Sequence, residues 1–233
     1  MLQKRDIEEV LSVLLETGGD FGELFFEDTR SAEMSMTDGK LEKVNTGRLF
    51  GVGLRAFLET KAVYAYTNDL SIDNLKATAR RIGKALKGPS KGSESVTLSE
   101  KHHQTKLPVL TPFEIVERQE KKRVMRLAHE GARTFAPAGS ALNDLIGQVE
   151  VKYLEKDQYV RIANTEGVFT EDRRRRTRLI TTVIATEYGQ KETGSSSPGS
   201  GAGFEFYNLI DPKEVGREAA RIALRMIRAD FSP

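Results

Sequence analysis

The chain is 233 residues long, enough for one large domain or two small ones with a proper core, and its 38% hydrophobic and 30% charged residues are ordinary for a globular protein. Lys plus Arg number 36 against 34 Asp plus Glu, so the net charge of +2 gives no overall pull toward nucleic acid or a membrane surface. The absence of cysteine excludes disulfides, thiolate nucleophiles and zinc–thiolate sites; no apolar run approaches the ~20 residues of a membrane span and MLQKRDIEEV lacks a signal-peptide core, so a cytoplasmic protein is the expectation.

Residues 2–17 read as an amphipathic helix with Ile7, Val10, Leu11, Leu14 and Leu15 on one stripe, stopped by Gly18-Gly19. Strands are expected at 23–27 and 32–37, where Ala32, Met34 and Met36 alternate with polar neighbours. Asp38-Gly39 is a hairpin signal because both central residues must take positive φ. The longest apolar alternation follows in 41–66, with Phe50, Val52, Leu54, Ala56 and Leu58 on one side of an extended chain and Leu49, Gly51, Gly53, Arg55 and Phe57 on the other. Thr60-Lys61 reverses it into a second run, 62–66. Ser71 then caps a helix to about Leu86, turning Leu75, Ala79, Ile82 and Leu86 inward.

Residues 87–110 are a polar connection too long for a turn. Beyond it, Thr111-Pro112-Phe113-Glu114 is a capping box with proline at the first helical position, predicting a helix from there to Arg133. Residues 145–154 and 158–162 read as a hairpin around Lys156-Asp157, and a long strand region covers roughly 174–188 after the turn Asn164-Thr165-Glu166-Gly167. GSSSPGSGAG, 194–203, reads as a flexible loop. Asp211-Pro212-Lys213-Glu214 opens a last helix with Val215, Ala219, Ile222, Ala223 and Met226 inward. The expectation is an α+β fold of two related helix–antiparallel sheet–helix modules, 1–88 and 111–233, joined by a connecting loop, 89–110. The echo between Asn45-Thr46-Gly47 and Asn164-Thr165-Glu166-Gly167 points to a diverged duplication.

Four stretches invite a chemical reading. Gly51-Val52-Gly53-Leu54-Arg55-Ala56 has the letters of a dinucleotide fingerprint, but its glycines sit inside a continuing strand rather than at a strand-to-helix turn; they read as room for a bulky side chain or another backbone. His129-Glu130 begins a helical zinc-hydrolase motif, yet no histidine follows it, and helical counting turns His129 away from the apolar stripe toward solvent. His102-His103 lack a third partner. Arg173-Arg174-Arg175-Arg176, with Arg178, is the one dense basic run. It reads either as a phosphate or acidic-peptide contact or as a solvated strand entrance facing a partner, and Arg174, Arg176 and Arg178 are its candidates for substrate or partner binding.

The order of these segments is familiar. ELFFEDTRSAEMSMTDGKLEKVNTGRLFGVGLRAF, then VRIANTEGVFTEDRRRRTRLITTVIAT with its glycine-rich loop, then GREAARIALRMIRADFSP, together resemble the N-terminal half of the TldD/PmbA family, named as modulators of DNA gyrase and regarded as zinc-dependent peptidases. In that family a His-Glu-x-x-x-His helix follows the segment resembling 211–233, so no position here inherits metal ligands or a catalytic glutamate, and catalytic and metal residues are expected to be none. The resemblance implies zinc for a full-length relative only, a homo- or hetero-oligomer within the family, a peptide substrate in an enclosed chamber, and no membrane. This chain would supply scaffold, dimer surface and chamber wall without activity of its own. The rival reading is a stand-alone module binding nucleic acid or a protein through 173–178, although the charge balance does not favour nucleic acid.

Overall fold

The computed structural model describes residues 2–16, 18–86, 88, 95–101, 109–137 and 139–229. His102 and His103 lie outside the described residues. The order is α1 (Lys4–Leu15), β1 (Phe21–Thr37), β2 (Lys40–Leu58), β3 (Lys61–Thr67), α2 (Ile72–Leu86), β4 (Ser99–Glu100), α3 (Arg118–Arg133), α4 (Ala141–Asp144), β5 (Ile146–Asn164), β6 (Val168–Glu187), β7 (Gln190–Ser196), β8 (Gly199–Ser200) and α5 (Pro212–Met226), an α+β arrangement. The residues fall into two compact units. Unit 1 takes Met1–Thr29, Arg48–Lys106 and Gln158–Arg173; unit 2 takes Arg30–Gly47, Leu107–Asp157 and Arg174–Pro233.

In unit 1 the strand order is β3-β2-β1-β5-β6-β4, with β3 antiparallel to β2 and β4 parallel to β6. Strand alternation decides its core. Leu24, Phe26, Val52, Leu54 and Ala56 point to one face and are buried there with Ile7, Val10, Leu11 and Leu14 of α1 and Leu75, Ala79, Ile82 and Leu86 of α2. The segment after α2 is docked too: Val96 N–H donates to Ser12 Oγ at 3.1 Å and Leu98 N–H to Glu8 Oε1 at 2.9 Å, leaving both side chains buried. The opposite face is opened by glycine. A Cβ on Gly53 would lie 2.8 Å from the Tyr64 ring, so the fingerprint-like glycines seat aromatic side chains of β3 and not a phosphate.

In unit 2 the order is β2-β1-β5-β6, with β7 and β8 both antiparallel on β6. The Asp38-Gly39 turn has positive φ at both residues, 47° and 79°, as the dipeptide requires. Met34, Met36, Val149, Val151, Tyr153, Leu179, Val183 and Ala185 share the face covered by α3 and α5. These two helices touch through small residues: a Cβ on Gly216 would stand 1.9 Å from Ala128 O, and one on Gly131 would stand 2.0 Å from Lys213 O.

Several local expectations are corrected. The 23–27 and 32–37 strands are one, Phe21–Thr37, and the hairpin expected around Lys156-Asp157 is uninterrupted strand. The helix expected from Thr111 begins only at Arg118: Phe113–Ile115 is a single 3-10 turn, and Val116 is extended (φ −90°, ψ 121°), which ends it. Lys121 Nζ, donating to Phe113 O at 3.1 Å, holds that turn against the helix. The glycine-rich loop is half strand, its first residues ending β7 and Gly199–Ser200 forming β8. Gly194 sits in β7 opposite Val183 because α5 crosses there; its Cβ would lie 2.2 Å from both Ala219 O and Ala223 N. α5 begins as expected, with Asp211 Oδ1 accepting from Lys213 N–H at 2.9 Å, but its buried stripe includes Gly216, Ala220 and Leu224, while Met226 is exposed. His129 is half-buried, its imidazole 3.3 Å from where a Gly39 Cβ would be, because the β1–β2 turn packs against that ring of α3.

Candidate functional site: a basic groove in unit 2

Along β6 the odd positions Thr177, Leu179, Thr181, Val183 and Ala185 are buried under the helices. The period of two therefore sends Arg174, Arg176 and Arg178 to the other face. On β5, burial of Val149, Val151 and Tyr153 likewise turns Leu154 and Lys156 outward, and on β1 burial of Met34 and Met36 turns Ser31 and Glu33 outward. These outward residues, with Asn45–Gly47 of β2 and Gly199–Gly201 at β8, line an open groove of about 810 Å³ that lies wholly within unit 2.

The floor is braced from the core side. Lys121, buried in α3, donates to Glu155 at 2.8 Å, and Tyr153 O–H donates to the same carboxylate at 2.7 Å. Thr177 O–H donates to Leu154 O at 3.1 Å and takes the Tyr207 hydroxyl as donor at 2.7 Å. Burial in the aromatic cluster of Tyr153, Phe204 and Tyr207, followed by the charge of Glu155, pushes the Tyr153 phenol far above its ordinary range; burial raises Tyr207 likewise. Neither phenol ionises, so both serve as neutral donors that fix β5 and β6.

The basic run divides by strand parity. Arg175 is turned to the covered side, its side chain 10% exposed, and reaches Asp157 at 3.0 Å and Glu114 at 3.2 Å. Arg178 points into the groove and donates from Nε to Ser197 O at 3.1 Å, a neutral partner that leaves its charge intact. Arg176 and Lys156 also line the groove, and neither has a hydrogen bond or ion pair among the described residues. Arg174 shares their face but is not among the lining residues. The structure thus brings Arg176 and Arg178 together with Lys156, which sequence reasoning missed by assigning it to a hairpin tip.

Two family models match the chain: the PmbA/TldA metallopeptidase domain 1 over residues 22–86 and the central domain of the same family over residues 111–227. A metalloprotease TldD homolog of Buchnera aphidicola is 23% identical, covering 96% of this chain and 46% of the relative, and one of Haemophilus influenzae is 22% identical, covering 100% and 48%. The chain therefore spans about half the length of the curated relatives it matches. A crystal structure from Thermotoga maritima, described as a modulator of a DNA gyrase, shares the fold at TM-score 0.74 and 19% identity over 99% of this chain and 50% of that one. TldE from Thermococcus kodakarensis does so at 0.62 and 10%, over 93% and 46%.

The relatives' names imply a metal. Among the described residues no three His, Cys, Asp or Glu side chains converge to hold one. His129, beside the cationic Arg133 and with Nε2 shut away from solvent, is an unfit ligand. None of the described helices is long and apolar enough to cross a membrane. What two separately matched domain models in family order establish, across nearly all the ordered elements, is that the chain belongs to the TldD/PmbA metallopeptidase family.

Proposed function

We propose that these 233 residues are the non-catalytic, substrate-enclosing part of a TldD/PmbA-type metallopeptidase, and that zinc and the groups acting on the peptide bond belong to the remaining half of such a protein. The observation that carries this reading is the unit 2 groove: an open sheet face with a volume of about 810 Å³, room for an extended peptide. Matches to the family's domain 1 and central domain support it. The chain supplies wall and scaffold, and no step of hydrolysis is assigned to it.

The same reading gives the chain an oligomeric partner of its own family, homo- or hetero-oligomeric, in the cytoplasm. Exposed apolar side chains support a partner surface: Tyr64 at 61% and Tyr66 at 48% in unit 1, and Leu110 at 74% and Leu209 at 80% in unit 2. Metal analysis and a peptide-cleavage assay on the 233-residue chain test the division of labour. Neither bound zinc nor turnover is expected, and stoichiometric zinc with EDTA-sensitive cleavage overturns it. Light scattering over a range of concentrations tests the partner surface, with a strictly monomeric chain counting against it.

A further inference from the structure

We infer that the unit 2 groove selects extended peptide segments carrying carboxylates at alternate positions, through Arg176 and Arg178 on β6 and Lys156 on the neighbouring β5. The inference rests on the reading of this groove as a peptide wall and adds to it a substrate class.

Charge comes first. Three cations and two carboxylates, Glu33 and Glu155, line the groove. Glu155 is already matched by Lys121 at 2.8 Å and by the Tyr153 hydroxyl, so it offers nothing to a ligand. Arg178 is oriented by an uncharged carbonyl, and Arg176 and Lys156 have no partner among the described residues. The surplus is positive, held over a sheet whose far side is a packed core. Desolvation of an incoming carboxylate is therefore offset by fixed charge on one side only, which favours a ligand that brings its own negative charge.

Geometry supplies the spacing. Residues two apart on a strand are about 6.6–6.8 Å apart along its axis, and that is also the spacing of side chains two apart in an extended peptide. Arg176 and Arg178 therefore present two guanidinium groups at the repeat of a Glu-x-Glu or Asp-x-Asp segment laid along β6. Lys156, from the next strand about 4.8 Å away, adds a third charge beside them. The backbone at Gly199 and Gly201 carries no side chain to obstruct such a segment.

The test is fluorescence anisotropy on the 233-residue chain with four probes. One is an acetylated, amidated decapeptide with glutamates at alternate positions. The second has the same glutamates in one block, the third has glutamine for every glutamate, and the fourth is a single-stranded oligodeoxynucleotide of equal charge. The alternating peptide is expected to bind about tenfold tighter than the glutamine peptide and about threefold tighter than the block, given the modest strength of each exposed pair. Arg176→Gln and Lys156→Gln each weaken it about fivefold on the same grounds, while Arg123→Gln, on the exposed side of α3, leaves it unchanged. Circular dichroism of each variant guards against misfolding. Equal binding of glutamate and glutamine peptides, or insensitivity to both substitutions, overturns the inference. Preference for the block overturns the spacing, and tighter binding of the oligonucleotide assigns the groove to nucleic acid. Because the readout is binding by the isolated chain, none of these results depends on whether the chain holds zinc or cleaves peptides.

Discussion

Lys121 of α3 and Glu155 of β5 form an ion pair at 2.8 Å with side chains only 11% and 12% exposed, one of two enclosed charge pairs beneath the groove with Arg175–Asp157. Each has a second partner: Phe113 O for the ammonium and the Tyr153 hydroxyl for the carboxylate. A buried pair satisfied this fully is weakly stabilising as a pair but strongly destabilising when halved, since one charge is left without a counterpart. Lys121→Met is expected to lower stability by about 3–5 kcal/mol, measured by urea denaturation. Adding Glu155→Leu to it recovers most of the loss; a double variant as unstable as the single one contradicts this account.

The α3–α5 contact makes a prediction opposite in sign to helix propensity. Gly to Ala in an exposed helix interior gains about 1 kcal/mol. At Gly216 the added methyl lands 1.9 Å from Ala128 O and 2.7 Å from Ala132 N, backbone atoms that move only with the helix. Gly216→Ala is therefore expected to destabilise by about 1–3 kcal/mol, the usual range for overpacking. A rise in melting temperature would refute the close crossing.

Much of this fold is legible in the sequence where one local rule decides. Asp38-Gly39 turns because both residues tolerate positive φ, and alternation in 50–58 predicts which side chains are buried. Local rules fail where a distant residue overrides them. Lys156-Asp157 has turn chemistry, but Arg175 neutralises Asp157 from the next strand and β5 runs straight through. The glycines of 194–203 signal flexibility by composition, yet Gly194 is there to let α5 approach. The same long-range effects hid the groove: parity exposes Arg176 and Arg178, whereas Lys156 joins them only because β5 is unbroken.

On β2, the Gly53–Tyr64 contact separates a steric role from a catalytic or nucleotide-binding one. The Tyr64 ring lies over Gly53 and is 61% exposed, so it can be removed without opening a core cavity. Gly53→Ala is expected to destabilise by about 1–2 kcal/mol through overpacking. In a Tyr64→Ala background the same change becomes neutral or stabilising, because alanine is the better strand residue. Additive losses in that double-mutant cycle, read from denaturation midpoints, would show that the ring is not what constrains Gly53.

At the β1–β2 turn, Asp38 of the turn and His129 of α3 are two acid-sensitive groups acting in different pH ranges. Burial works against the Asp38 carboxylate, but hydrogen bonds from Val149 N–H at 3.0 Å and from the Arg133 guanidinium outweigh it and hold the group below the ordinary aspartate range. A depressed carboxylate contributes stability that is present above the unfolded value near 3.9 and fades as pH falls through the folded one. Asp38→Asn keeps a residue tolerant of positive φ and removes only the charge. It should be less stable than wild type at neutral pH, with the gap closing below about pH 4. His129 is depressed chiefly by burial and next by Arg133, with Asp38 opposing, and its Nε2 has no hydrogen-bond partner among the described residues. Here the unfolded chain binds a proton that the folded chain refuses, so stability drops as pH falls below about 6.5. His129→Leu should flatten that upper limb while leaving the Asp38 limb in place. Urea midpoints from pH 3 to 8 resolve the two, and a His129→Leu profile that still slopes between pH 5 and 6.5 would place the titrating group elsewhere.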